Sequence, residues 1–73
     1  MDRSTAEKLM AVYQRLGDVL NQADPLIRSI SDEEERKQHL RALGTMMADV
    51  WTELMAPIVR EHRDLDPDRR PGQ

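Results

Sequence analysis

The histidines are the first residues to examine for chemistry, because imidazole serves both as a metal ligand and as a general base. The sequence has two histidines and no cysteine. Glu35 and His39 are four residues apart and would share one helix face, but two ligands make a weak metal site. His62 precedes Asp66 by about one helical turn and is expected to act as a cation near a helix C-terminus. We predict no metal site and no cofactor.

Paired carboxylates are the other candidates for chemistry, and Asp49 and Glu53 have the spacing of one helical turn. General acid–base catalysis needs such a pair in a cleft, whereas helical periodicity puts this pair beside the apolar stripe and in solvent. The three glycines are isolated, so they form no phosphate-binding loop. No Glu is followed by His three residues on, as di-iron bundles require. The sequence therefore predicts no enzyme and no catalytic residue.

Composition and charge narrow the class of protein. The chain has 73 residues, of which 38% are hydrophobic and 34% charged, and its net charge is −3. That length predicts a single domain. A net negative charge argues against a dedicated nucleic-acid binder, because phosphate neutralisation supplies most of such affinity. Since no apolar run approaches about 18 residues and the first residues form no signal peptide, we expect a cytoplasmic protein without membrane contact.

The elements that must position any site are helical. Ser4 and Glu7 fit a capping box that would start the first helix. With Leu9 at heptad position a, the a, d and e positions are apolar up to Ile30, which is a wide stripe suited to a helix in a bundle. The a and d positions are Leu9, Val12, Leu16, Val19, Ala23, Leu26 and Ile30, and the e positions are Ala6, Tyr13, Leu20 and Ile27.

Pro25 leaves two alternatives for this segment. The heptad phase continues across it, which favours one long kinked helix over residues 4–30. The alternative is a break at Asp24, because Asp followed by Pro is a good start for a short separate helix over 25–30.

A second capping box, Ser31 to Glu34, predicts the start of the second helix. Its apolar stripe begins late, and Pro57 should kink or end the regular helix. The later apolar residues continue at helical spacing in a shifted phase up to Leu65, so the predicted domain is 1–65 and 66–73 is expected to be a disordered tail. The stripe consists of Leu40, Leu43, Met47, Val50, Leu54, Trp51 and Ile58.

Two such helices predict an all-α helical hairpin. A lone hairpin would leave much of both stripes in water, so a homodimer forming a four-helix bundle is expected. Near the turn, the apolar residues Leu26, Ile27 and Ile30 face the polar start of the second helix. We favour the explanation that the partner subunit covers these three side chains. The alternative is that residues 25–30 fold across the hairpin as a short third helix. The predicted oligomer or partner interface comprises Tyr13, Leu16, Leu20, Leu26, Ile27, Ile30, Met47, Val50, Trp51, Leu54 and Ile58.

Three functions follow as hypotheses. The favoured one is a non-enzymatic protein–protein interaction module, an adaptor or regulator, whose Met46, Met47 and Trp51 fill the dimer seam or else form a groove for a partner helix. In length and layout the chain resembles the Rop-type plasmid regulators, and this resemblance implies the alternative of an RNA-binding hairpin dimer. A small-molecule or metal carrier is a third hypothesis. The basic face of the Rop-like alternative would comprise Lys8, Arg15, Arg36, Lys37 and Arg41.

Overall fold

The computed structural model of the chain describes residues 1–67, and these fold into a helical hairpin without a β-strand. One arm is α1 (Arg3–Asn21), followed by the short α2 (Ala23–Arg28). The returning arm is α3 (Glu33–Asp49), a π-helix (Val50–Met55) and α4 (Ala56–Glu61), and it ends in a 3₁₀ turn (Arg63–Leu65). The predicted all-α hairpin is therefore confirmed. Most of the predicted tail, residues 68–73, lies outside the described residues.

Helix α1 begins earlier than the capping box predicted. Asp2, and not Ser4, is the N-cap: its carboxylate accepts the backbone N–H of Thr5 at 3.1 Å and the Thr5 hydroxyl at 2.8 Å. These two hydrogen bonds, with the hydroxyl contributing most, lower the pKa of Asp2. Aspartate satisfies free N–H groups at a helix start as well as serine does, and that is why the cap could move by one half-turn.

The predicted kinked helix over 4–30 is divided into two helices, and Gln22 joins them in helical backbone conformation. The chain leaves α1 at Gln22 and continues in α2, which packs against α3. Pro25 has no N–H to donate to the carbonyl of Asn21, so the regular ladder is interrupted at that point. The short separate helix of the alternative is present, but it begins at Ala23 and ends at Arg28, with Gln22 and not Asp24 as its N-cap. Asp24 accepts a hydrogen bond from Arg28 at 2.6 Å and stabilises this short helix.

Packing of α2 on α3 gives partial cover to the residues near the turn. Ile27 and Ile30 are half-buried, whereas Leu26 is 71% exposed. Helix α3 then starts from Asp32, one residue after the predicted cap Ser31, and the Asp32 carboxylate accepts the N–H of Glu35 at 3.2 Å. Contacts within the chain thus cover part of the apolar surface that we had assigned to a partner subunit.

The π-helix explains the phase shift near Pro57. Ala56 donates its N–H to the carbonyl of Trp51, five residues back, and Pro57 follows in the first turn of α4. The wider turn carries one extra residue, so the next inward position after Val50 is Met55 and not Leu54. Met55 is 8% exposed, whereas Leu54 is 37% exposed. The heptad pattern predicted that Leu54 faces inward with Val50. This prediction is wrong, because the extra residue of the π-helix puts Met55 at the inward position.

The core lies where the two ends of the hairpin meet. The buried residues of the described chain are five apolar side chains, and Leu9, Tyr13, Leu20, Val59 and Leu65 pack around them. Polar contacts close the same end: the amino group of Met1 lies 2.7 Å from Glu61, and Arg3 donates two hydrogen bonds to Asp64. The buried five are Ala6, Met10, Val50, Met55 and Ile58.

The hairpin forms a single layer of helices. Its extents are 46 × 25 × 16 Å, and one helix with its side chains is already about 10–12 Å across. Domains normally bury their apolar faces between two layers. The described hairpin has one layer and five buried residues, so a second layer has to come from elsewhere if the remaining apolar surface is to be covered.

The π-helix makes a deletion test possible. Removing Thr52, an exposed residue of that turn, should convert it to an α-helix and keep Val50, Met55 and Ile58 facing inward. We expect cooperative urea unfolding with a free energy within about 1 kcal/mol of wild type.

Removal of Ala42, which is also exposed but lies in regular α3, is the matched control. It turns the preceding helix by about 100° relative to the core. Because the first part of α3 and the packed α2 are then turned away from the rest of the hairpin, this variant should unfold at a lower urea concentration than the Thr52 deletion. Urea unfolding of both variants is measured by circular dichroism. An equal loss of stability in the two variants would contradict the assignment of an extra residue to the π-helix.

Candidate functional site

A groove lies on one side of the hairpin, between α1 and the returning arm. Its volume is about 480 Å³, which is within the usual range for ligand and side-chain pockets. The groove is lined by Tyr13, Gln14, Gly17, Asp18, Asn21, Met47, Val50, Trp51, Met55 and Pro67.

The groove combines an apolar floor with a polar rim. Trp51 and Tyr13 supply aromatic surface, and Asp18 is the charged residue of the lining within residues 1–67. A Cβ added at Gly17 would meet nothing within 4 Å, so the space in front of this glycine is open. Such a surface can accept apolar side chains and can pair a positive charge at its edge.

A second apolar surface lies on the other side of α1. We call Val12, Leu16 and Val19 of α1, together with Leu26 of α2, the outer stripe; their exposed fractions are 46%, 38%, 58% and 71%. Three groove residues, Gln14, Asp18 and Asn21, each follow a stripe residue of α1 by two positions. Residues two apart in an α-helix point about 200° apart. The outer stripe therefore faces away from the groove.

The returning arm also exposes apolar side chains outside the groove. Met46 is 56% and Leu54 37% exposed, and neither lines the groove. Met46 and Trp51 are five residues apart, so they point about 140° from each other, on either side of the direction toward α1. Met46 thus lies on the same side of the layer as the outer stripe, and Trp51 lies on the groove side.

The wide stripe predicted for the first helix is therefore divided between two surfaces. Ala6, Met10, Tyr13 and Leu20 face the core of the hairpin at helical spacing. The d positions Val12, Val19 and Leu26 and the a position Leu16 face solvent. Helix α1 has one apolar face more than its own chain covers.

The predicted interface residues separate into four groups. Val50 and Ile58 are in the core, and Tyr13 and Leu20 pack against it. Ile27, Ile30 and Met47 are half-buried, whereas Leu16, Leu26, Trp51 and Leu54 are exposed. The structure brings Tyr13, Met47, Val50 and Trp51 together in the groove. Their role in an interface stays a prediction.

Several residues of these surfaces escaped the sequence analysis. Gln14, Asp18 and Asn21 are polar and lie outside the apolar a, d and e positions, although they line the groove. Gly17 gives space rather than contact, and hydrophobic patterning does not detect space. The available signal was the width of the a/d/e stripe, because a helix with two neighbours needs two apolar seams.

Two of the five residues of the predicted basic face, Arg36 and Lys37, are engaged within the chain. Lys37 lies 3.0 Å from Glu33, and Arg36 donates to the carbonyl of Ile30 at 2.9 Å. The adjoining Arg28 is paired with Asp24, and this hydrogen bond raises the pKa of Arg28. Within residues 1–67, Lys8, Arg15 and Arg41 have no ion-pair partner. RNA binding by this face stays an alternative prediction.

The residues considered for metal binding or catalysis lie apart from the groove. His39, Asp49 and Glu53 are exposed, and His62 lies 3.2 Å from the carbonyl of Met1. In the described part of the chain no three His, Cys, Asp or Glu residues converge on one point. None of the described helices is long and apolar enough to cross a membrane.

Comparisons with known proteins place the chain in no family. No protein-family model, no curated protein sequence and no solved structure matches it. A function for this chain therefore has to be argued from the outer stripe and the groove.

Proposed function

We propose that this chain is a non-enzymatic protein–protein interaction module that works as a homodimer. The observation that carries the proposal is the outer stripe, whose α1 residues Val12, Leu16 and Val19 are apolar, repeat at heptad spacing and are exposed on a single-layer hairpin. Two hairpins stacked through this side would make a four-helix bundle with two layers.

The exposed area suits a second copy of the chain. The outer stripe with Met46 and Leu54 amounts to several hundred Å² of apolar surface, whereas a standard interface takes about 800 Å² from each partner. The several hundred Å² of exposed apolar surface on this chain are also near the upper limit of the apolar patches that soluble monomers expose. The five buried side chains among residues 1–67 form a small core, and association is one of the few ways to add to it.

The groove gives the module a site for a different protein. It lies on the side of the layer opposite the outer stripe, so dimerisation leaves it open. Among residues 1–67, Asp18 is the charged residue of its lining and no Lys or Arg lines it, and the chain carries a net charge of −3. These features favour an amphipathic helix with basic flanks, whose apolar side chains would enter beside Trp51.

The dimer is tested by placing a charge on the outer stripe. Val12→Glu should weaken dimerisation by at least about a hundredfold, because the dimer would bury two unpaired carboxylates. Val12 is 46% exposed, so the single hairpin should tolerate the change. The measurement is the mass by sedimentation equilibrium across a range of concentrations.

Gln14→Glu is the matched control, since it adds the same side chain two positions away on the groove side. It should leave the mass at twice the chain mass. A wild-type protein that stays monomeric at every concentration, or two variants that behave alike, would contradict the dimer.

The groove is tested through the single tryptophan of the chain. A synthetic amphipathic helix of Leu and Lys should shift the emission of Trp51 to shorter wavelength at low salt. Gly17→Leu would fill the open space of the groove and should weaken this binding at least about tenfold.

Gly44→Leu is the control for that variant, because Gly44 is also a helical glycine with open space around it but does not line the groove. It should bind the peptide as wild type does. Equal titrations for Gly17→Leu and Gly44→Leu would show that the peptide binds elsewhere, and an unchanged emission would reject the groove as the site.

A further inference from the structure

We infer how the two copies are arranged: α1 of each hairpin lies on α3 and the π-helix of its partner, related by a two-fold axis parallel to the helices. This inference rests on the proposed homodimer. Stacking the outer-stripe sides admits two orientations, because the two-fold axis can run along the helices or across them within the interface. In the second orientation α1 would lie on the partner's α1, and α3 on the partner's α3.

Charge beside the apolar surfaces distinguishes the two orientations. On α1 the flank is basic: Arg15 lies between Val12 and Val19, and Lys8 precedes Val12 by one turn. On the returning arm the flank is acidic, since Asp49 follows Met46 by three residues and Glu53 adjoins Leu54. Each arm therefore carries one sign of charge along the seam.

These flanking groups are available for a partner. Arg15, Asp49 and Glu53 are exposed, and within residues 1–67 none of them forms an ion pair. In helical bundles the residues that border the apolar seam select partner and orientation through such charges. Stacking α1 on the partner's α1 would oppose Arg15 to basic side chains and Glu53 to acidic ones, and both contacts are unfavourable.

The charged residues of the two arms also lie at matching heights along the helix axes. Tyr13 and Asn21 line the groove on α1, and Met47 and Met55 line it on the other arm. Because the arms run antiparallel, Tyr13 is level with Met55 and Asn21 with Met47, so Arg15 is level with Glu53 and Asp49 lies about one turn further along. A two-fold axis parallel to the helices keeps that level unchanged. Arg15 of one copy then faces Glu53 and Asp49 of the other at both edges of the bundle.

This arrangement has a consequence for the grooves. The rotation turns one layer over onto the other, so the two grooves face outward on opposite sides of the bundle. A dimer built in this way is bivalent, and it can hold two partner segments apart by the thickness of two helical layers.

The test is a charge swap across the seam. Arg15→Glu and Glu53→Arg should each raise the dissociation constant of the dimer about fivefold to thirtyfold at low salt, because every dimer contains two copies of the altered pair. The double variant Arg15→Glu/Glu53→Arg restores opposite charges and should return to within about threefold of wild type. Sedimentation equilibrium provides the constants.

Glu34→Arg is the control, since it makes the same charge change at an exposed position of the first turn of α3, away from the seam. It should leave the dissociation constant unchanged. A double variant that dimerises more weakly than either single variant would overturn the arrangement.

Mixing experiments separate the two ways in which the account can fail. If α1 lies on the partner's α1, a mixture of wild type and Arg15→Glu will favour mixed dimers over both pure ones, and this result would overturn the inferred axis while keeping the homodimer. A wild-type chain without any dimer would overturn the proposed function and this inference together.

Discussion

The structure depends on one constraint: helix α1 carries more apolar surface than a single neighbouring helix can cover. Its a, d and e positions span a wide arc, and the returning arm packs against only part of it. The a and d residues that do not face the core form the outer stripe. Because the hydrophobic effect scales with the apolar area removed from water, this uncovered arc is the largest source of stabilisation that a single hairpin leaves unused.

The returning arm reaches the core through an irregular turn. Pro57 cannot donate a hydrogen bond, and the π-helix before it inserts one residue, so that Met55 and Ile58 face inward while Leu54 stays outside. The same turn places Trp51 on the groove side. One local irregularity therefore sets both the inner packing of the arm and the division of its apolar side chains between the two outer surfaces.

The all-helical hairpin was predictable because capping residues and 3.6-residue periodicity are local signals, and both arms appear near the predicted positions. The exact caps, Asp2 and Asp32, were missed by one or two residues, since neighbouring polar residues compete for the same N–H groups. The sequence favoured a continuous kinked helix over a break near Gln22, because the heptad phase continues across Pro25. The groove could be anticipated only in its apolar half, Tyr13, Met47 and Trp51. The polar rim of the groove and the open space at Gly17 depend on the distance and angle between two packed helices. Hydrophobic periodicity in one sequence does not predict this packing geometry.

The central claim, that the outer stripe is the dimer seam, is tested most directly by contacts between copies of the unaltered protein. Mixed dimers of ¹³C-labelled and unlabelled chains allow isotope-filtered nuclear Overhauser measurements that report only intermolecular contacts. The account predicts such contacts from the methyl groups of Val12, Leu16 and Val19 to Met46 and Leu54 of the partner subunit. Intermolecular contacts that involve Trp51 and Met47, with none from the outer stripe, would contradict it.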